Sequence, residues 1–358
     1  MAEEAIGPNL TNVTYMGRQT VKFGLIFLVV LMVGRITVNG IVAYWKAMHP
    51  EPPPPPTVGF GTLPGISFPS QSDTDKPISY KLETATGTFA DFGDRAKVYF
   101  MPRATASLLA DQNAKALAAK LDYVFEPEVI GGELYRWNKS RPLLSNLEMN
   151  IRTNSFSLTS NYLSLPELLV KKQVPSGFDA ISRVKNFLDR AELLGSDVAT
   201  ASGEIVYLKS LGGELAPAVS QSDADFIQVD INRNPIDGVY RMYTPEGYTG
   251  TITAIITGGF EGRESIVELN YNYHDVDYDQ VHTYPLRTSQ SAWQLLQAGE
   301  GYIAQKGSQD AAVIRSVSLG YFDSFEEQEY LQPIFVFENP ETGFLGFVPA
   351  LDPKFIQK

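Results

Sequence analysis

The chain contains no cysteine. Disulfides, thiolate zinc sites, iron–sulfur clusters and cysteine nucleophiles are therefore excluded. A folded body of this size has a large enough core to stand without disulfides, so the absence leaves export open. Histidine is scarce too, with only His49, His274 and His282. No Gly-x-Ser-x-Gly elbow occurs, so Ser-His-Asp catalysis has no support in the sequence. Positive charge is also short. The 358 residues carry a formal net charge of −12, and only residues 1–50 are net positive, with Arg18, Lys22, Arg35 and Lys46 against Glu3 and Glu4. The acidic remainder repels phosphate backbones, which excludes nucleic acid as a partner. It also gains nothing from lying flat on an anionic membrane.

Apolar residues make up 44% and charged residues 20%, the balance of a globular chain. The 18 tyrosines and 20 phenylalanines favour strands. Residues 23–34, FGLIFLVVLMVG, carry no charge but are too few to span a bilayer, which needs about 20. Continued through Arg35 to Trp45, the stretch reaches 23 residues, with Tyr44 and Trp45 placed for an interfacial belt. Arg18 and Lys22 precede it and Lys46 follows, which favours a cytoplasmic N-terminus. A cleaved signal peptide would need a small-x-small site, and the sequence instead continues ITVNGIVAYW. The expectation is an uncleaved single-pass anchor in the cell membrane. Residues 1–22 form a cytoplasmic tail, 23–45 the transmembrane helix, and the C-terminal part is extracytoplasmic.

Arg35 within the span is costly, by about 2.5–3.5 kcal/mol on insertion scales. Asn39 lies one turn on and shares its face. Either Arg35 snorkels, or Arg35 and Asn39 together contact a partner membrane helix that carries an acidic or amide group.

Residues 50–56 read PEPPPPP, and Gly, Pro, Ser and Asp dominate onward to Pro77. Polyproline II geometry predicts a semi-rigid stalk over 46–77. Beyond it, hydrophobic spacing predicts helices over 104–121, 178–194 and 289–298, the last capped by Ser289. Alternation predicts strands over 79–86, 132–137, 147–153, 155–162, 203–211, 226–232, 251–258, 265–273, 313–322, 331–338 and 343–350, with Asn154 at a hairpin turn. One helix followed by antiparallel strands recurs three times. The fold class is therefore α+β: a single transmembrane helix, then repeated units of one helix packed on antiparallel β-sheet. The boundaries are a first unit over 78–175 and a second over 176–358.

The chemistry-bearing motifs are weak. Asp91-Phe92-Gly93 stands without the rest of a kinase, and Gly59, Gly61 and Gly65 have the wrong spacing for a dinucleotide loop. In the run from His274 to His282, Asp275, Asp277 and Asp279 imitate the start of a calcium loop. Gln280 and Leu286 then stand where that loop needs Gly and Glu. The run reads better as an acidic, solvated strand edge. Glu326 and Glu327 are too ordinary a pair in an acidic chain to nominate a glycosidase. No catalytic residue, cofactor or metal site is expected. The aromatic residues Tyr321, Phe322, Tyr330, Phe335 and Phe337 are either sheet core or, at an exposed edge, a docking face.

The C-terminal third carries a family resemblance. Ser291-Ala-Trp293-Gln-Leu295-Leu296 and Gly301-Tyr302-Ile303 precede a run from Val313 that ends Leu319-Gly320-Tyr321-Phe322. Then follows Tyr330-Leu331-Gln332-Pro333-Ile334-Phe335-Val336-Phe337. Over residues 265–350 this resembles the YycH/YycI group of membrane-anchored regulators, with PepSY-like units. The resemblance implies a non-enzymatic regulator of a cell-wall sensor kinase that contacts its partner partly through transmembrane helices. The expected function is thus a non-catalytic, membrane-anchored interaction protein of the bacterial envelope. The rival expectations are an envelope hydrolase or protease inhibitor, and a structural subunit of an envelope or appendage assembly.

Overall fold

A computed structural model describes residues 10–48, 54–72, 76–77, 79–170 and 173–357. The chain divides into two units, Met1–Pro55 and Pro56–Lys358. Residues 1–9 of the expected tail, and residues 49–53 of the expected stalk with His49, lie outside the described residues. The class is α+β, with one long apolar N-terminal helix and several sheets.

The first unit is a single helix, Leu10–Met48, 39 residues and roughly 58 Å long. It begins inside the segment expected as a tail. Over Thr14–Lys46 it is long and apolar enough to cross a membrane, and none of its most apolar 18-residue window is buried. Thr20 and Thr37 donate their hydroxyls to Met16 O (2.9 Å) and Val33 O (3.0 Å), so both are satisfied within the helix.

The second unit is built on two large sheets. The larger runs edge to edge as Glu128–Gly131, Leu134–Lys139, Ser145–Asn150, Phe156–Ser160, Ile266–Tyr271, Ile252–Thr257, Phe226–Ile231, Gly203–Leu211 and Glu214–Pro217. All its neighbours are antiparallel. Alternation gives it two unlike faces. On one, Ile227, Val229, Ile231, Ile252, Ala254, Ile256 and Leu269 pack with Ala114 and Ala118 of helix Ala110–Lys120 and with Ala180, Val184, Phe187 and Leu188 of helix Gly177–Arg190. Part of the other face is a polar row in direct cross-strand register: Arg136, Glu148, Ser157, Asn270, Thr253, Asp230 and Glu204. The expected boundary at residue 175 runs through this sheet, because Phe156–Ser160 pairs with Ile266–Tyr271. Such pairing leaves the chain from Pro56 onward one compact unit.

The second sheet is ordered Met242–Tyr243, Ser316–Phe322, Tyr330–Asn339, Phe344–Pro349, Tyr302–Gln305. Arg95–Phe100 joins the start of Tyr330–Asn339 and pairs in turn with Asp277–Pro285. Helix Ser289–Gln297 lies on one face, capped by the Thr288 hydroxyl, which accepts from Ser291 N at 3.1 Å. The cap is thus one residue before the expected Ser289.

The stalk expectation fails here, and of the two readings of the aromatic run the sheet-core one holds. Residues 56–72 are not a stalk but lie on the second sheet. Phe68 stacks on Tyr302 at 5.0 Å and packs against Phe322 at 4.8 Å. Leu63 is fully buried and exchanges backbone bonds with Phe355 O and Gln357 N, both 2.8 Å. This segment covers the sheet face that carries Phe322. Tyr321, Phe322, Phe335 and Phe337 are at most 1% exposed, so they form core and not a docking face. Phe335 and Phe337 turn to the helix Ser289–Gln297 side, and Phe322 to the side covered by Ile66 and Phe68. Tyr330 is half-buried against Phe60 at 4.9 Å and Phe100 at 6.0 Å. Leu63→Ala should therefore cost about 2–5 kcal/mol in urea unfolding, as a core truncation does. A true stalk residue would change stability by less than about 0.5 kcal/mol.

Candidate functional site

The acidic run from His274 to His282 is divided between a loop and a strand. Asp277–Pro285 pairs with Arg95–Phe100. His282 is held by packing, its ring edge-on to Phe60 at 4.6 Å and its Nδ1 3.2 Å from Thr57 Oγ1. Asp277 Oδ1 accepts from the backbone N–H of Asp279 and Gln280, which closes a turn. Among the described residues, no three His, Asp or Glu side chains converge as a metal site would require.

His274 itself, with Asp275, lines a cleft of about 570 Å³ in the second unit. Its walls are residues 102–105, residues 152–154, residues 192–195, Tyr271, residues 273–275 and Glu327. Each stretch is placed by a local feature. Asn154, at φ 61°, turns the hairpin between Ser145–Asn150 and Phe156–Ser160 where the sequence placed it. Glu192, also at φ 61°, ends helix Gly177–Arg190 as a left-handed cap, and Leu193 N returns to Leu188 O at 2.9 Å. That cap stops the helix short of the expected residue 194. The expected helix over 104–121 begins only at Ala110, because Ala104 is held elsewhere. Its N–H donates to Glu327 Oε1 at 2.8 Å, and its carbonyl accepts from Arg152 Nη1 at 3.3 Å.

Arg152 is the main cross-brace. It also donates Nε to Glu133 at 2.9 Å and pairs with Glu327. Burial alone would raise the Glu327 carboxyl, but bonds from Arg152 and the Ala104 N–H outweigh it and hold the group below the usual range. His274 Nε2 lies 3.2 Å from Phe325 O, a pure acceptor, so that nitrogen carries the proton.

Beside the cleft wall lies a buried hub that the sequence analysis did not single out. Arg233 is 3% exposed. It donates Nε to Asp323 and Nη1 to Asp197, both at 2.7 Å, and Nη2 to His274 O. Its guanidinium sits 4.2 Å from the centre of the Tyr273 ring. Tyr273 and Tyr278 donate their hydroxyls to Asp197 at 2.8 and 2.7 Å. Burial pushes the Asp197 carboxyl up, yet the Arg233 charge and the tyrosine bonds outweigh it, so it ionises more readily than usual. Arg233 follows a strand of the large sheet and Asp323 follows one of the second sheet, so the hub joins the two. Its partners are 36, 41 and 90 residues away in sequence, which leaves no local motif to find.

Arg35 and Asn39 both lie on the N-terminal helix and are exposed. The chain matches no protein-family model and no curated protein. Among solved structures it is similar to an uncharacterized protein from Eubacterium rectale ATCC 33656. The two share 11% identity over 72% of this chain and 84% of that one, with a TM-score of 0.33.

Proposed function

We propose that the chain is a membrane-anchored, non-catalytic interaction protein of the bacterial envelope, with its N-terminus in the cytoplasm and residues 56–358 outside. One observation carries this reading: a 39-residue helix whose most apolar window is entirely unburied, beside a body that forms its own compact unit. Residues 23–45 contain 13 Leu, Ile, Val and Phe, which at roughly 0.3–0.6 kcal/mol each favour insertion by about 4–8 kcal/mol. That exceeds the roughly 2.5–3.5 kcal/mol that Arg35 costs. The acidic body and the Arg18 and Lys22 flank favour the stated topology.

The same reading takes the two helices on the larger sheet and the one on the second as parts of related helix-plus-sheet units, in the manner of YycH/YycI-like regulators. Its partner is another membrane protein, met through Arg35 and Asn39. Fractionation tests the anchor. The full-length protein should stay with membranes through alkaline carbonate, and protease added outside intact cells stripped of their wall should digest the body. Recovery from the soluble fraction without detergent would refute it.

A further inference from the structure

We propose that the cleft walled by Arg103, Arg152, Asn154, Asp275 and Glu327 binds a zwitterionic ligand of the short-peptide class, with Arg103 taking its carboxylate and Asp275 its ammonium group. Every residue lining the cleft belongs to the unit Pro56–Lys358.

A volume of about 570 Å³ lies in the range of small-molecule sites. The lining is mainly polar, so an apolar ligand would strand its hydrogen-bonding groups. Both signs of charge line it. An anion alone would meet Asp275 and Glu327, and a cation alone would meet Arg103 and Arg152. A ligand with one charge at each end satisfies both.

The charged groups differ in freedom. Arg152 is fixed between Glu133 and Glu327 and serves as wall. Arg103 pairs with Glu329 at 3.2 Å, with both side chains substantially exposed, a pair weak enough to exchange for a ligand carboxylate. Asp275 makes no hydrogen bond or ion pair among the described residues. The Asn154 carboxamide and the Thr105 hydroxyl on the same cleft suit the amide groups of a peptide backbone. The Arg233 hub fixes Tyr273 and the His274 carbonyl, so the wall beside Asp275 is rigid before any ligand arrives.

The test is calorimetric titration of the full-length protein in detergent micelles with trialanine, its N-acetyl form and its C-amide form. Free trialanine should bind, and each blocked form about tenfold more weakly. Asp275→Asn should abolish the discrimination against N-acetylation alone, and Arg103→Gln the discrimination against amidation alone. Both side chains are exposed, so the variants should unfold in urea as the parent does. Absence of binding, equal binding of the blocked peptides, or discrimination that survives in the variants would each overturn the proposal.

Discussion

Arg233→Ala should destabilise residues 56–358 by about 3–5 kcal/mol, a large share of the 5–15 kcal/mol that holds a typical domain together. Shortening the side chain removes the cation from between two buried carboxylates. Asp323 is fully buried, and its second oxygen, Oδ1, already has no hydrogen-bond partner among the described residues. Asp197 would keep only its tyrosine bonds. Arg233→Lys should recover little, because one ammonium cannot reproduce a fork that reaches Asp323, Asp197 and the His274 carbonyl at once. The informative control is Arg233→Met with Asp323→Leu and Asp197→Asn. Removing the charges together should cost much less than Arg233→Ala, since most of the single-mutant penalty is the stranding of charge. Urea unfolding at pH 7 reads all three. A single-mutant cost below about 1 kcal/mol would mean the hub is solvated and does not join the sheets.

The same hub sets a pH dependence. The folded Asp197 carboxyl lies below its unfolded value, so its contribution is complete above about pH 4 and is lost as pH falls through the folded value. Glu327 shifts in the same direction and adds to the loss. Asp230 shifts the other way. Burial raises it despite bonds from Gln228 and Thr253, so its protonation on acidification relieves a cost and partly offsets the loss. In Arg233→Ala the Asp197 carboxyl no longer faces a cation, so the stability gap between variant and parent should narrow from pH 7 to pH 3.

What the sequence made legible follows from which contacts are local. Phe226–Ile231, Ile252–Thr257 and Ile266–Tyr271 lie within a residue or two of their expected bounds. Each alternates along part of its length, with Ile227, Val229, Ile252, Ala254 and Leu269 on one face and Gln228, Asp230, Thr253 and Asn270 on the other, and alternation reports that directly. Arg95–Phe100 has no expected strand, and Asp277–Pro285 is anticipated only as far as His282, as a solvated strand edge without a partner. They pair with each other, Lys97 opposite Thr283, and no short window contains both. Residues 56–72 misled through composition. Proline and glycine suppress any helical or strand period, yet Val58, Phe60, Leu63, Ile66 and Phe68 still supply a covering layer. Misplacing that layer left only the Phe322 side of the second sheet bare, whereas Phe335 and Phe337 lie under helix Ser289–Gln297 and Tyr321 packs against Tyr99. The cleft was legible only at Asn154, whose left-handed backbone suits a hairpin turn. Its charged walls come from stretches as far apart as residues 102 and 327.

Arg35→Leu with Asn39→Leu should leave the protein in the membrane and abolish co-purification of its partner. The two effects pull in opposite directions, which makes the experiment decisive. Arg35 stands 12 residues after Phe23 and 10 before Trp45, roughly 18 and 15 Å from the ends of the span. Removing it should improve insertion by the 2.5–3.5 kcal/mol it costs, so loss of partner cannot be blamed on loss of the membrane. Thr37 does not share this role, since its hydroxyl is already bonded to Val33 O and Gly34 O. A second copy of the chain is a poor partner for this face, because two arginines would meet in a low-dielectric medium. A helix with a carboxylate at the same depth would instead neutralise Arg35 and give Asn39 an acceptor. Crosslinking from residue 35 in cells, followed by mass spectrometry, should therefore recover a heterologous membrane protein with an intramembrane Asp or Glu. Undiminished co-purification in the double variant would show that Arg35 merely snorkels.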